Sequence, residues 1–263
     1  MEEEQKRTLA FTVNAIQQKF GRRAIRRLGE ASGPAIPYIP TGFAALDEAL
    51  TTRGIPRGHL TEIFGAPTSG VATLTLQVMA RAQQLAAWRG LSDRVAYFDL
   101  NSNFDPDYAA RCGVNLQQLI VIRPYTIRQG LLLLPDLLSG PGFNLVVLDA
   151  PLALLTPPAV ARELEHQLLR LKTALRRNGA TLIFLTSLPP GEPAAPHAYP
   201  AGLPLPSQAA VRLLIERERW IYHRRDIVGY EARIRISKNQ LGPAGRELRV
   251  SIHLPRTPVG LEL

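Results

Sequence analysis

The stretch Leu60-Thr61-Glu62-Ile63-Phe64-Gly65-Ala66-Pro67-Thr68-Ser69-Gly70-Val71-Ala72-Thr73-Leu74-Thr75-Leu76-Gln77-Val78 decides how the rest of the chain is read. Leu60–Phe64 is a short, largely apolar run that suits a buried strand. A turn with glycine at both ends follows, Gly65 and Gly70, and then a helical pattern from about Ala72 to Trp88. Glycines so placed let backbone N–H groups wrap an anion at the helix N-terminus. G-x-x-x-x-G ahead of a helix is the layout of a Walker A phosphate loop. In its working form the next two residues are Lys, which brings charge to the terminal phosphates, and Ser or Thr, whose hydroxyl binds Mg²⁺. Here those positions hold Val71 and Ala72. Gly65, Ser69, Gly70 and Thr73 remain to meet a phosphate.

Strand and helix signals alternate downstream. Val95–Leu100, Leu119–Ile122, Leu145–Asp149 and Thr181–Thr186 are short runs rich in branched residues. Helices lie between several of them, including Ala161–Arg177, where Leu164, Leu168, Leu171 and Leu175 share one face. Continuous apolar strands with helices between them predict a parallel sheet covered on both faces. Asp149 ends its strand as the metal-orienting Asp of a Walker B strand does, although such an Asp also serves simply to cap a loop. After Pro206 the pattern changes. Val211–Glu218, Glu231–Ser237 and Glu247–Leu254 alternate apolar and charged residues without room for crossover helices, which predicts antiparallel strands.

The N-terminal segment stands apart. Leu9, Val13, Ile16 and Phe20 form one apolar stripe on a helix that Gly21 stops. A basic stretch, Arg22–Leu28, and a linker, Ala31–Pro40, follow it. A lone helix of this length is marginal in water, so its stripe packs on its own domain or on a neighbouring subunit. Residues 1–33 are expected to form this arm and 34–263 the core. Leu188–Pro206, with seven prolines and one charge, fits neither helix nor sheet and predicts a semi-rigid loop.

Composition narrows the function. The 263 residues are 46% hydrophobic and 20% charged, ordinary for a globular protein. No apolar run approaches the roughly 20 residues of a membrane span, and the acidic start Met1-Glu2-Glu3-Glu4 is no signal peptide. The expectation is a cytoplasmic protein without a membrane partner. The net charge of +9 favours a polyanionic partner, but 27 Arg against 4 Lys also fits a biased genome. Cys112 and the five histidines form no metal-ligand spacing, and no metal site is expected. Arg217, Arg219, Arg224 and Arg225 flank Trp220 and Tyr222, a pattern that suits either nucleic-acid contact or a solvated hairpin.

Taken in order, several segments resemble the bacterial RecA recombinase family. They are Gln5–Glu30, Pro40–Asp47, the loop and helix at Gly65–Val78, Phe104–Ala109, Leu155–Pro157 and Ile234–Asn239. The resemblance implies a RecA-like P-loop NTPase core of α/β class, with an N-terminal helical arm and antiparallel strands at the C-terminal end. It implies that Asp105 and Tyr108 hold and stack an adenine base, and that Asp149 belongs to the nucleotide site. It also implies that the arm meets an adjacent subunit through Ile16, Phe20, Ile25 and Leu28, with Lys238 near that interface. Asn101 stands where the family carries the Glu that activates water, and an amide cannot take a proton as a general base. Thr186 and Ser187 replace the Asn-Gln pair that senses the γ-phosphate, and Lys238-Asn239-Gln240 keeps one of two interfacial cations. The first DNA loop is shorter than in the family, the second is the proline-rich stretch, and the family's C-terminal domain is expected to be missing.

These departures at Val71, Ala72 and Asn101 lead to the expectation of a chain that is not an enzyme. It would be an accessory or scaffold of DNA repair or the SOS response, serving translesion mutagenesis, where it resembles the ImuA type in outline, or modulating RecA. No cofactor is expected beyond weak ATP or ADP binding. The expected partners are RecA or a second copy through the arm, a translesion polymerase complex, and DNA without sequence preference. The alternative is an ATP-dependent recombinase that binds single-stranded DNA and has an atypical ATP site.

Overall fold

Runs of branched side chains become strands here because both faces of the sheet are covered. The computed structural model describes residues 2–21, 24–25, 36–88, 94–140, 142–188 and 202–254. Two units are distinguished, residues 1–35 and 36–263.

In the first unit, α1 (Glu2–Phe20) ends at Gly21, whose left-handed backbone lets its N–H reach back to the Gln17 carbonyl. Val13 and Ile16 are half-buried, whereas Leu9, Phe11 and Phe20 are exposed. Ile25 lies just past the helix, where its carbonyl accepts from Gln17 Nε2 at 2.9 Å. Leu28 lies outside the described residues.

The second unit begins with a two-stranded ribbon, β1 (Tyr38–Ile39) and β2 (Ile55–Pro56), around α2 (Ala44–Ala49). The core elements follow as β3 (Leu60–Gly65), α3 (Val71–Trp88), β4 (Arg94–Asp99), α4 (Pro106–Arg111), β5 (Leu119–Ile122) and α5 (Ile127–Ser139). Next come β6 (Phe143–Asp149), α6 (Leu152–Leu155), α7 (Pro158–Asn178), β7 (Thr181–Ser187) and α8 (Leu205–Gln208). The chain then forms β8 (Val211–His223), β9 (Asp226–Asn239) and β10 (Glu247–His253). One eight-stranded sheet takes the order β10-β9-β8-β3-β7-β6-β4-β5. Its members from β8 to β5 are parallel, and β9 and β10 continue it antiparallel.

Successive strand residues point to opposite faces, so each parallel strand feeds two cores. Val95, Val147, Ile183 and Leu213 meet Leu74 and Val78 of α3 on one face. Phe98, Val146, Phe184 and Leu214 meet Leu131 and Leu134 of α5 and the Leu164, Leu168, Leu171, Leu175 row of α7 on the other. Each such buried Leu contributes roughly 1.5–3 kcal/mol.

Two sequence expectations change. Leu205 and Pro206, assigned to the proline-rich loop, open α8, where Leu205 is buried in the core, and residues 189–201 of that stretch lie outside the described residues. The pattern after Pro206 predicts antiparallel strands, but β8 pairs in parallel with β3 on one side and antiparallel with β9 on the other. The reason is its first half. Val211–Ile215 is buried throughout, like a central strand, and exposure begins only at Glu216. Beyond Ile215, β8 and β9 run on as a long hairpin that carries a bulge between Arg217 and Arg219. Arg224, left-handed with φ 57°, turns its tip. Among the described residues no helix is long and apolar enough to cross a membrane.

Candidate phosphate-binding site

The loop is shaped by its neighbours in the sheet. β3 ends at Gly65, where a side chain has no room: a Cβ would lie 2.3 Å from the Ile215 carbonyl oxygen and 2.6 Å from Ser69 Oγ. Thr68 (φ 63°) and Gly70 (φ 107°) are left-handed, and the chain then enters α3. Unpaired amides of that first turn carry the positive end of the helix dipole. Ser69 is 3% exposed, and its Oγ has no hydrogen-bond partner among the described residues. A buried hydroxyl left without a partner costs on the order of 1–3 kcal/mol, which marks a place where a ligand atom would be favourable. Val71 is buried, its Cγ2 3.0 Å from where a Gly65 Cβ would stand, and Ala72 is exposed.

Three hydroxyls meet at the start of α3. Thr73 Oγ1 lies 2.7 Å from Tyr108 Oη, and Tyr230 Oη donates to Thr73 Oγ1 at 3.2 Å. Burial raises both phenols above their ordinary value, Tyr230 to about 12, so both stay protonated near neutrality. Asp105 caps α4 by accepting the Tyr108 N–H at 2.9 Å, which fixes where Tyr108 starts. The sequence grouped Asp105 and Tyr108 with the base, and the structure brings them to the loop helix. Tyr230 was not anticipated. It lies 122 residues after Tyr108 in sequence (230 − 108), and no local motif marks it.

Two carboxylates end adjacent strands. Asp99 of β4 and Asp149 of β6 are register partners. Burial raises Asp149 to about 6, Asp99 adds to the rise, and a hydrogen bond from Tyr97 Oη at 2.7 Å opposes it. Asp99 accepts the N–H of Asn103 at 3.0 Å and Arg123 Nε at 3.0 Å. Asp99 and Arg123 were missed by the sequence reading, although Asp99 closes a strand just as Asp149 does. Asn101 is exposed just past β4.

The four arginines grouped as a DNA patch have separate positions. Arg217 Nη1 donates to Thr68, at 3.3 Å to its carbonyl and 3.2 Å to its hydroxyl. Its guanidinium lies 4.3 Å over the Trp220 ring, and Trp220 meets Tyr230 edge-on at 5.8 Å. Arg219 makes a forked pair with Glu231 at 2.7 and 2.8 Å. Arg224 and Arg225 stand exposed at the hairpin tip. Lys238 donates to the carbonyls of Pro206 and Ser207, both at 2.8 Å. Beneath the hairpin, Glu62 and Arg212 are register partners on β3 and β8 and form a buried ion pair.

Comparison with known proteins places this geometry in context. The sequence profile described as the RecA N-terminal domain matches residues 7–256. A Protein RecA from Chloroflexus aurantiacus is 33% identical over 95% of this chain and 74% of its own length. A Protein RecA from Xanthomonas campestris pv. campestris is 32% identical over 96% of this chain and 77% of its own. These matches point to an enzyme, and they overturn the expectation, drawn from Val71, Ala72 and Asn101, that the chain is none.

Proposed function

Because the chain belongs to the RecA family, we propose that it serves DNA recombination and repair and holds an adenine nucleotide on the Gly65–Gly70 loop. One observation carries this reading. The buried Ser69 Oγ, without a hydrogen-bond partner among the described residues, sits in a loop whose left-handed Thr68 and Gly70 lead into an 18-residue helix. The residues fit a phosphate: the loop amides and Ser69 would hold it, and Tyr108, fixed by Asp105, would border the nucleoside. The metal side is altered, since Ala72 offers a methyl group in place of a hydroxyl; Asp149 and Asp99 are the carboxylates that end β6 and β4, across the sheet from β3. A bound nucleotide would supply the polyphosphate whose hydrolysis drives such proteins; the chain's own share is to bind and orient it.

Titration of the purified chain with ATP, followed by measurement of phosphate release with and without single-stranded DNA, tests the proposal. Saturable ATP binding with release that DNA increases supports it. Absence of ATP binding at millimolar concentration overturns it.

A second reading is favoured by the exposed apolar residues Leu9, Phe11 and Phe20 of α1. They suit an accessory that meets another RecA-type protein, a second copy or a translesion polymerase complex. Pull-down with purified RecA, comparing the intact chain with one lacking residues 1–30, distinguishes this reading.

A further inference from the structure

The loop has no cation of its own, yet one is delivered to it from the next strand. β8 runs parallel to β3, with Gly65 opposite Ile215 at the end of their pairing. There β3 turns away into the loop while β8 continues as a strand. Two residues on, Arg217 comes level with Thr68 and bonds to it. The register of two parallel strands, held below by the Glu62–Arg212 pair, therefore sets a guanidinium at the rim of the loop.

Four other arginines of β8, β9 and β10 are already paired. Arg219 pairs with Glu231, Arg233 with Glu216, Arg235 with Glu247 and Arg249 with Glu218. Arg217 has no carboxylate partner among the described residues. Only its Nη1 is engaged, by two long bonds to Thr68, whereas a guanidinium carries five N–H donors in a planar fork. The Trp220 ring beneath it limits its rotamers and lowers the entropy lost on gripping a ligand. A positive charge without a counter-ion among the described residues, stacked in place beside a helix N-terminus and the buried Ser69 hydroxyl, has the make-up of an anion clamp.

We propose that Arg217 is the cation for the terminal phosphates of a nucleoside triphosphate at this loop, taking from β8 the part that position 71 leaves open. The proposal rests on the reading that the loop takes a nucleotide. It makes Arg217 a binding residue for phosphate, with Thr68 as its holder and Trp220 as its platform.

The experiment is calorimetric titration of the full chain with ATP, inorganic tripolyphosphate and AMP, at fixed salt. Arg217→Ala is expected to weaken ATP and tripolyphosphate by about tenfold to a hundredfold, the ordinary worth of a charge-assisted hydrogen bond. AMP, which lacks the terminal phosphates, is expected to change by less than about twofold. Arg217→Lys keeps the charge without the fork and should fall between. Arg224→Ala, at the hairpin tip, should leave ATP affinity unchanged. Arg217 is exposed, so its replacement leaves the core intact, and a thermal melt of each variant verifies this. If the unaltered chain binds ATP and Arg217→Ala binds it equally well, this inference fails while the nucleotide reading stands. If the unaltered chain binds neither ATP nor tripolyphosphate, both fail.

Discussion

Gly65 and Ile215 face each other across parallel strands so closely that a methyl group on Gly65 would lie 2.3 Å from the Ile215 carbonyl oxygen. Backbone cannot yield there as a flexible side chain would. Gly65→Ala should therefore push β8 from β3 and open the loop. The expected cost is roughly 1–3 kcal/mol, as for other forced overpacking, with ATP binding lost or sharply weakened. Urea unfolding and ATP titration of the variant check both effects; an unchanged midpoint with unchanged binding would contradict the strand geometry described above.

Asp149 gives the protein a pH dependence of definite sign. Its ordinary value is 3.8 and burial raises it to about 6 in the fold. Between these values the native carboxyl keeps a proton that the unfolded chain has released. Stability from this group is therefore full below about pH 4, falls as pH rises to about 6, and is level above that. The span is on the order of 2–3 kcal/mol. In Asp149→Asn that decline should vanish, so the stability difference between the two proteins, followed by urea unfolding at successive pH values, should change across this window. Tyr97→Phe, which removes the hydrogen bond that favours the charged form, should extend the window upward.

Glu62 and Arg212 form an ion pair inside the sheet. Removing one partner leaves the other charge buried, which typically costs about 3–5 kcal/mol. Arg212→Ala should therefore lower the urea midpoint markedly. Replacing both residues with apolar side chains should recover much of the loss. A double variant no more stable than Arg212→Ala would argue against the buried Glu62 charge as the cause.

The arm leads to an assembly experiment. Leu9, Phe11 and Phe20 expose much of their side chains on α1, more apolar surface than a solitary helix needs. Phe11→Asp with Phe20→Asp should reduce any self-association or RecA binding while leaving the unfolding of the core unchanged. Light scattering and pull-down read the first, and thermal melting reads the second.

Much of the fold was legible in the sequence because periodicity reports faces. Leu119–Ile122 was bounded to the residue, and the Leu164–Leu175 row was named in full. Periodicity does not report neighbours. Nothing local tells Val211 that β3 lies beside it, so the parallel half of β8 was read as antiparallel. The same limit hid Arg217, which meets Thr68 across 149 residues of chain. Its sequence context of Arg and Trp reads equally well as a nucleic-acid patch. Glycine spacing made the loop visible, whereas the cation beside it belongs to a strand that only folding brings near.

The bulge in β8 settles which way that arginine faces. In a regular strand, residues three apart point to opposite sides. Arg217 and Trp220 are three apart and yet stacked, because β8 carries one residue more than β9 between them. Glu218 is that added length. A deletion of this single codon would shorten β8 by one position and turn the indole to the far side of the ribbon. The guanidinium would lose its platform although neither Arg217 nor Trp220 had changed. Chain length at this one point, as much as residue identity, decides whether the hairpin can serve the loop.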